Sequence, residues 1–348
     1  MKKILSAILA VIFVFAAVSC TGSVDGNETT GTNEPAKTAE QTVLTEAVTE
    51  APAVKTEVNV AMLKGPTGMG AAYLMSKNEE EKTENKYNFT LESAADAVVA
   101  GIVKGEYDIA AVPTNLAATL YAKDGVDVVA AAINTLGVLY IVENGNTVNS
   151  VADLARKKVV MSGQGTAADA VLTRLIAAKV ADPSSVTVDY VSEHSEAVTQ
   201  AVTGNYDIAV LPEPFVTTIL TKSDKFRVAV NLTTEWESAG YGTLCMGGII
   251  ASKKFATEHP EALDKFLAEY KESVDYVNAD VKGAAALIEK YGIATAAVAE
   301  KAIPNCNIVC ITGNDMKTYL KGFYEQLNAF KPALIGGAIP GDDLYYVK

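Results

Sequence analysis

The residues of this chain that could bind a small molecule lie in four short segments, each directly after a predicted β-strand. These are segments 65–70, 113–115, 162–166 and 212–214, which are rich in glycine, proline, hydroxyl and amide groups. In open sheets of alternating strands and helices, ligands bind beyond the carboxyl ends of the strands. The backbone N–H groups that begin the next helix are free to donate hydrogen bonds there, and glycines let a ligand come close. The four segments are therefore predicted to line one binding site.

Two of these segments are rich in glycine and hydroxyl groups. Segment 162–166 reads Ser-Gly-Gln-Gly-Thr, which could cradle an oxyanion or a carboxylate in front of a predicted helix. It is not a P-loop, because no Gly-Lys-Ser/Thr ending follows. Segment 65–70 could also be an ordinary turn, and Thr114 with Asn115 could simply cap a helix. Asn134 and Thr135 end another predicted strand and could also point inward.

Glu213 carries the one negative charge in these segments. It lies between Pro212 and Pro214, and the two rings stiffen the turn that aims its carboxylate. A carboxylate in the site would repel an anion and would accept hydrogen bonds from amino groups, which favours a ligand bearing donors. The alternative is a surface glutamate beside a helix N-terminus. No arginine falls on a predicted cleft segment, so a bidentate arginine clamp has no candidate.

These patterns define a set of predicted ligand-binding residues. The set comprises Gly65, Pro66, Thr67, Gly68, Met69, Thr114, Asn115, Asn134, Thr135, Ser162, Gly163, Gln164, Gly165, Thr166 and Glu213.

The same sequence offers little for catalysis or metal binding. Its two histidines are His194, which follows a predicted strand and could reach the cleft, and His259, which precedes a helix. No Ser-His-Asp order stands out, and an acid–base mechanism needs such placed groups. Cys245, Cys306 and Cys310 lack the paired spacing of a zinc site. We expect no catalytic residue, no metal and no cofactor. A Cys306–Cys310 bridge and buried free thiols both remain open.

An internal repeat indicates two similar halves. Segment 105–113 (Gly-Glu-Tyr-Asp-Ile-Ala-Ala-Val-Pro) reappears 99 residues later as segment 204–212 (Gly-Asn-Tyr-Asp-Ile-Ala-Val-Leu-Pro), with six of nine residues identical. Each copy has a glycine that ends a helix, a short buried strand and a proline that begins the next loop. Strands alternate with helices around both copies, which predicts βαβ units.

The predicted fold is therefore α/β and two-lobed. Each lobe is expected to hold a mostly parallel sheet with flanking helices, and two hinge strands are expected to join the lobes near residues 134–140 and 244–250. Lobe 1 is assigned to residues 58–136 and 247–348, and lobe 2 to residues 137–246. After residue 254 the sequence is predicted to be mostly helical.

The N-terminus predicts export. Lys2 and Lys3 precede an apolar run, residues 4–18, which is too short for a membrane span of ~20 residues but suits a secretory signal. The end of the run resembles a bacterial lipobox, with Cys20 as the lipidated residue, although Ala17 stands where that pattern prefers leucine. A plain signal-peptidase cut near Cys20 is the alternative. Residues 1–20 are thus assigned as signal. Residues 21–57 are assigned as a disordered tether, rich in Thr, Glu, Gly and Ala.

The charge of the chain excludes some partners. The formal net charge is −13, which argues against nucleic acid and against direct binding to an anionic lipid surface. The expected membrane contact is the lipid on Cys20, which would hold the protein outside the cytoplasm.

Several motifs in order resemble a known family. They are Leu63-Lys64-Gly65-Pro66-Thr67-Gly68-Met69-Gly70, segment 105–113, the stretch from Asp153-Leu154 to Ser162-Gly163-Gln164-Gly165-Thr166, Leu211-Pro212-Glu213-Pro214, and the ending from Ile335 to Tyr346. From about residue 58 onward the chain resembles periplasmic-type substrate-binding proteins of the nitrate, sulfonate and taurine class, which includes thiamine-precursor binders. The resemblance implies a type II periplasmic-binding fold with a ligand in the cleft.

The resemblance also implies a function. The chain is expected to be the solute-binding component of an ABC importer, a monomer that captures a small polar molecule and presents it to a permease and ATPase complex. We expect no enzyme activity. The alternatives are an enzyme on the same fold, of the pyrimidine-precursor or menaquinone-pathway type, and a ligand sensor. Three kinds of ligand stay open: an aminopyrimidine-like thiamine precursor, which Glu213 favours, a sulfonate- or nitrate-like anion, and another small polar metabolite.

Overall fold

The structure, a computed structural model, describes residues 55–348. The predicted signal segment, Cys20 and most of the predicted tether lie outside the described residues. Within residues 55–348, no helix is both long and apolar enough to cross a membrane.

The described residues form strands and helices that alternate for most of the chain. The strands are β1 (Glu57–Leu63), β2 (Lys86–Glu92), β3 (Ile109–Pro113), β4 (Val128–Thr135), β5 (Leu139–Asn144), β6 (Lys158–Ser162), β7 (Thr187–Val191), β8 (Ile208–Pro212), β9 (Phe226–Asn231), β10 (Gly247–Ser252) and β11 (Ile308–Ile311). The helices are α1 (Pro66–Glu79), α2 (Ala95–Lys104), α3 (Thr114–Tyr121), α4 (Ala167–Lys179), α5 (His194–Val202), α6 (Phe215–Lys222), α7 (Leu232–Ser238), α8 (Lys253–Glu258), α9 (Pro260–Ala279), α10 (Val281–Lys290), α11 (Ala296–Ala302) and α12 (Gly313–Phe330).

Two sheets divide the strands between them. The first has the order β11-β4-β10-β3-β1-β2, and the second has the order β7-β6-β8-β5-β9. In the first sheet β1 to β4 run in one direction, whereas β10 and β11 run against them. In the second sheet only β5 is reversed. Both sheets are therefore mixed, although most strands in each share one direction. The part built on the six-stranded sheet is named the first lobe, and the part built on the five-stranded sheet the second lobe.

The two sheets repeat one topology. The order β4-β10-β3-β1-β2 in the first sheet corresponds to β9-β5-β8-β6-β7 in the second. The repeated sequence segments form the equivalent strands β3 and β8. The backbone of the aspartate that precedes each strand has an equivalent role as well. The Asp108 carbonyl accepts a hydrogen bond from the Ser252 N–H at the end of β10, and the Asp207 carbonyl accepts one from the Asn144 N–H at the end of β5. The repeated residues therefore serve the architecture of both lobes.

The reversed strands follow from two crossings of the chain between the sheets. The first crossing joins β4 to β5, and the second leads from α7 to β10. At the first crossing, the Leu136 N–H donates to the Asn307 carbonyl, and the Asn307 side chain donates to the Gly137 carbonyl. A side-chain carbon on Gly137 would lie only 2.0 Å from Thr233 Oγ1. Only glycine therefore fits the close approach of this crossing to α7.

The core is packed from apolar strand runs and amphipathic helices. All eight residues of β4 are buried, as expected for a central strand covered on both faces. Helix α9 buries one apolar stripe at helical spacing, which includes Leu263, Phe266 and Tyr270, and packs against α1. The strand β11, which lies at the edge of the first sheet, was not predicted by the sequence pattern.

Helix α12 contacts both lobes. The Tyr324 hydroxyl donates to the Thr114 carbonyl at 2.8 Å in the first lobe. The Phe323 ring lies 5.7 Å from the ring of Trp236 on α7, and the Arg174 guanidinium on α4 lies 5.5 Å from the Phe330 ring. The C-terminal helix therefore forms part of the packing around the crossings.

The three cysteines of the described residues are free thiols. Cys306 is buried beside Met69, with 3.9 Å between their sulfur atoms. Burial raises the pKa of the Cys245 and Cys310 thiols to about 12 and also raises the pKa of Cys306. Because the thiolate is the reactive form, these cysteines are poor nucleophiles.

Candidate functional site

A cavity of about 380 Å³ lies between the carboxyl edges of the two sheets. The first lobe lines it mainly with the turns after β1 and β2, and the second lobe with the turns after β6 and β7. Residues near the crossings, such as Thr135, Val138 and Gly247, complete its lining. The volume suits a small organic molecule.

Seven of the fifteen predicted ligand-binding residues line this cavity. They are Pro66, Thr67, Thr135, Ser162, Gly163, Gln164 and Thr166.

The other predicted residues of segment 65–70 are Gly65, Gly68 and Met69, which do not line the cavity. Gly65 begins α1 in a left-handed conformation, with φ of 123°. A side-chain carbon on Gly68 would lie 2.7 Å from the Leu63 carbonyl oxygen, so glycine lets α1 pack against its own strand. Met69 is buried in the core of the first lobe. The helix and the core enclose Gly68 and Met69, whereas the space beside Gly65 is open, so ligand contact at these three residues stays a prediction.

Thr114, Asn115 and Gly165 hold parts of the protein together without lining the cavity. Thr114 Oγ1 donates to the Cys245 carbonyl at 2.6 Å, which fixes the second crossing. The Asn115 side chain donates to the Gly165 carbonyl at 3.0 Å and to the Leu334 carbonyl at 3.2 Å. The Asn115–Gly165 bond joins the first lobe to the second. These three residues therefore form structural contacts, and their contact with a ligand stays a prediction.

Glu213 also lies outside the cavity lining. Its carboxylate accepts hydrogen bonds from the backbone N–H and the hydroxyl of Thr217, both at 3.0 Å, in the first turn of α6. The side chain is 3% exposed, and burial raises the pKa of its carboxyl. Glu213 therefore satisfies donors at a helix N-terminus, and contact between its carboxylate and a ligand stays a prediction.

We expect Glu213→Ala to weaken the fold and to leave ligand binding unchanged. Two buried hydrogen bonds are lost, so the free energy of unfolding should fall by about 1–3 kcal/mol. Urea denaturation measures this change, and the ligand-induced rise in melting temperature reports binding. A variant of normal stability that no longer responds to ligand would return Glu213 to the binding site.

Two stretches that line the cavity were missed by the sequence analysis. They are residues 93–96, where β2 leads into α2, and residues 191–194, where β7 leads into α5. The rule that ligands bind beyond strand ends applies to these turns as well. The spacing of Ser93 and Asp96 instead predicted a capping box, which is a structural signal.

Four helices present N-termini without a side-chain cap to the cavity. Helices α1, α2, α4 and α5 each place N-terminal residues in its lining, and none has a side chain that accepts a hydrogen bond from the first N–H groups. Ser93 and Thr166 are of residue types that often cap helices, but neither caps α2 or α4. Thr166 Oγ1 donates to the Gly163 carbonyl instead, at 2.6 Å. The uncapped N–H donors of the four helices therefore face one cavity.

Two polar side chains near the floor of the cavity lack partners. Thr135 Oγ1 and both polar atoms of the Asn134 amide form no hydrogen bond within residues 55–348, although both residues are buried. Asn134 lies behind Gly247, where a side-chain carbon would stand 2.6 Å from Asn134 Oδ1. Buried polar groups are rarely left unpaired, so ligand or water atoms are expected to reach Thr135.

His194 brings an imidazole to the cavity lining. Its Nδ1 lies 2.5 Å from Ser162 Oγ, and its ring centre lies 5.0 Å from that of Phe215. Burial lowers the pKa of His194 to about 4, so the ring is neutral at neutral pH. Within the described residues no carboxylate binds its other nitrogen, so the Ser162–His194 pair lacks the third group of a catalytic triad.

The charged residues of the lining are few. They are Lys64 at the turn after β1, Asp96 in the first turn of α2, and Glu193 before α5. The walls between them are largely apolar, with Leu63, Val138 and other aliphatic residues. Backbone and hydroxyl donors therefore provide most of the polarity available to a ligand.

Two α/β lobes joined by two crossings, with a cavity between their carboxyl edges, form the architecture of a periplasmic binding protein. Among solved structures, an ABC transporter protein from Parabacteroides distasonis has a TM-score of 0.70 at 21% identity, covering 84% of this chain and 100% of its own. The aliphatic sulphonate binding protein SsuA from Escherichia coli has a TM-score of 0.67 at 17% identity, covering 83% and 90%. The nitrate-binding protein NrtA from Synechocystis PCC 6803 has a TM-score of 0.56 at 12% identity, covering 73% and 69%. The predicted two-lobed fold is confirmed.

A family profile matches a large part of the chain. Residues 72–302 match the family described as ABC transporter, phosphonate, periplasmic substrate-binding protein, and the chain belongs to this family. No curated protein matches it significantly. The protein is thus the solute-binding component of an ABC importer and acts outside the cytoplasm, as the sequence predicted.

Proposed function

We propose that the cavity binds a small solute through an oxyanion group, held by the N-termini of α1, α2, α4 and α5. The observation that carries this proposal is the convergence of these four helix ends, without side-chain caps, on one cavity. Each end offers free N–H donors and the positive pole of a helix dipole, worth about 0.3–1 kcal/mol to an anion. The hydroxyl groups of Ser93 and Thr135 lie in the same lining and add neutral donors.

The family and the structural neighbours give independent support for an anionic ligand. The family description names phosphonate, and the structural neighbours include proteins described as binding sulphonate and nitrate. The aminopyrimidine-like ligand rested on Glu213, whose carboxylate is occupied by Thr217. The apolar walls of the cavity fit an organic group attached to the oxyanion better than a bare inorganic ion.

The two lobes are proposed to close on the solute by bending at the crossings. The lobe division we propose is residues 58–136 and 247–348 against residues 137–246, with helix α12 packed on both. Trp236 is the only tryptophan of the chain, is fully buried and contacts Phe323 of α12. Its fluorescence should therefore report lobe movement. Ligand binding that leaves both the fluorescence and the radius of gyration unchanged would contradict closure.

Binding is proposed to leave the solute chemically unchanged. The family consists of binding proteins, and His194 faces the cavity without an orienting carboxylate. The proton spectrum of a bound sulfonate, recorded before and after long incubation with the protein, should be identical. A new product signal would favour the enzyme alternative.

We propose that lipidated Cys20 anchors the protein and that the monomer delivers its solute to the permease and ATPase complex. The support is the lipobox-like segment that ends at Cys20. Cys20→Ser should release the protein from the membrane fraction, and mass spectrometry should find acyl groups only on the unaltered chain. Light scattering of the released chain should give the mass of one copy, and a dimer mass would contradict the monomer.

A thermal-shift screen tests the oxyanion proposal. The chain from residue 21 onward is heated with alkyl sulfonates, alkyl phosphonates, nitrate and an aminopyrimidine. A true ligand stabilises the folded state by about 2.7 kcal/mol at a hundred times its Kd, so the melting temperature rises with concentration. We expect the rise with an organic oxyanion. A rise with the aminopyrimidine alone would contradict the proposal.

A further inference from the structure

We propose that the cavity accepts singly charged oxyanions and discriminates against doubly charged ones, and that position 194 is a place in the lining where an added positive charge would relax this preference. The inference rests on the proposed oxyanion function and adds the charge state of the substrate.

The lining of the cavity carries charges of both signs. Each helix N-terminus carries the equivalent of about half a positive charge, so the four ends together supply about two. The carboxylates of Asp96 and Glu193 line the same cavity and offset these ends, while Lys64 contributes one full positive charge at the rim. A third carboxylate, Asp169, lies in the first turn of α4 and accepts a hydrogen bond from the Gly165 N–H at 2.8 Å. With the two lining carboxylates counted, about one positive charge remains for a ligand, and with Asp169 counted as well, about none remains.

The position of His194 also bears on the charge of the lining. His194 is the first residue of α5, one of the four helices. Its ring lines the cavity and forms a hydrogen bond with Ser162. Burial lowers the pKa of the ring to about 4, so it adds no positive charge in the range where importers work. The imidazole is therefore available as a hydrogen-bonding group and not as a second cation.

Among the described groups around His194, Lys64 is the one positive charge, and it is already counted above. The groups that surround His194 come from every element packed against it or across the cavity. They are Glu193 and Glu196 on α5, Ser162 on β6, Pro212 on β8, Phe215 on α6, Tyr190 on β7 with its hydroxyl bonded to Asp169, Asp96 on α2 and Lys64 after β1.

A second negative charge on the ligand would therefore be buried without compensation. Interactions with a desolvated charge are strong because little water screens them, so an unpaired one is costly. A sulfonate carries one charge at every pH of interest. A phosphonate loses its second proton near neutrality, and only its singly charged form should fit.

The experiment compares matched pairs of ligands that differ only in this proton. Methane-, ethane- and butanesulfonate are titrated by calorimetry against methyl-, ethyl- and butylphosphonate, using the chain from residue 21 onward between pH 5.5 and 9. Sulfonate affinity should stay constant. Phosphonate affinity should fall about tenfold for each pH unit above the second pKa of that phosphonate, as its singly charged fraction falls.

Substitution of His194 tests its part in the preference. His194→Lys adds a cation at the lining. The factor by which phosphonate affinity falls between pH 7 and 9 should therefore be at least three times smaller than in the unaltered protein. His194→Gln is uncharged and should keep the original dependence. The matched control is His259→Lys, which changes the other histidine, exposed and outside the cavity lining. Each variant is first checked for an unchanged circular-dichroism spectrum.

The outcomes separate the two proposals. Phosphonate affinity that is constant or rises above its second pKa overturns the charge preference but keeps the oxyanion function. A His194→Lys variant with the original pH dependence would show that charge at position 194 does not affect the preference, which overturns that part of the proposal. If no sulfonate and no phosphonate binds at any pH, the oxyanion function itself fails, and the charge preference fails with it.

Discussion

Replacing Glu143 with glutamine is expected to lower the free energy of unfolding by about 1–3 kcal/mol, because it removes a buried charge that Arg227 and two backbone N–H groups contact. The Glu143 carboxylate is 3% exposed and lies 2.7 Å from Arg227 Nη2. It also accepts hydrogen bonds from the backbone N–H groups of Thr147 and Val148. Arg227 in turn donates to the Gly145 and Val148 carbonyls, so the pair fixes the turn after β5.

The same pair predicts how stability depends on pH. Burial opposes ionisation of Glu143, but the hydrogen bonds from Thr147 and Val148 and the contact with Arg227 outweigh it and lower its pKa. A lowered pKa stabilises the folded state above the unfolded value of about 4.3, and this contribution is lost as the pH falls through the folded value. The stability difference between the unaltered protein and Glu143→Gln should therefore shrink below about pH 4.

Urea denaturation of the two proteins measures this prediction, and an exposed ion pair supplies the control. Glu57 and Lys86 are paired at 2.6 Å with side chains more than 60% exposed. Glu57→Gln should cost less than about 1 kcal/mol. Equal losses in the two variants would show that burial of the Glu143–Arg227 pair has no special effect on stability.

Filling the cavity is the second prediction with a large effect. Ala168 lies in the first turn of α4, is half-buried and lines the cavity. We expect Ala168→Trp to weaken ligand binding about 100-fold or more, because the indole occupies space that the solute needs. The fold should keep its stability, because the new ring enters an open space and does not overpack the core.

A second alanine on the same helix makes the control. Ala178 is exposed near the C-terminal end of α4 and lies outside the cavity lining. Ala178→Trp should bind the solute as the unaltered protein does. The affinities are measured by calorimetry with the oxyanion that gives the largest thermal shift. Full affinity in Ala168→Trp would place the bound solute elsewhere.

The fold could be predicted well because its signals are local. The repeated Tyr-Asp-Ile-Ala segments mark equivalent strands, and apolar runs such as β4 identify buried strands directly. The edge strand β11 was missed because its four residues pair only irregularly with β4 and carry little pattern of their own. The mixed direction of the sheets also escaped prediction, since it depends on where each crossing inserts the next strand.

The site was harder to predict because it depends on the order of the strands. The turns after β1 and β6 were found, but strand order places β2 beside β1 and β7 beside β6, so the turns after those two strands complete the cavity. No local pattern carries that information. The contact between Glu213 and α6 could have been predicted, since Thr217 follows four residues later in the first turn of that helix.

The most direct test of the binding site is a backbone amide NMR titration of the chain from residue 21 onward with ethanesulfonate. We predict that the largest saturable shifts belong to the first amides of α1, α2, α4 and α5, which include those of Thr67, Ala95, Ala168 and His194, with one common Kd. The amides at the start of α6, next to Glu213, should shift far less. Saturable shifts centred on α6, or spread over surfaces away from these four helix ends, would contradict the oxyanion site.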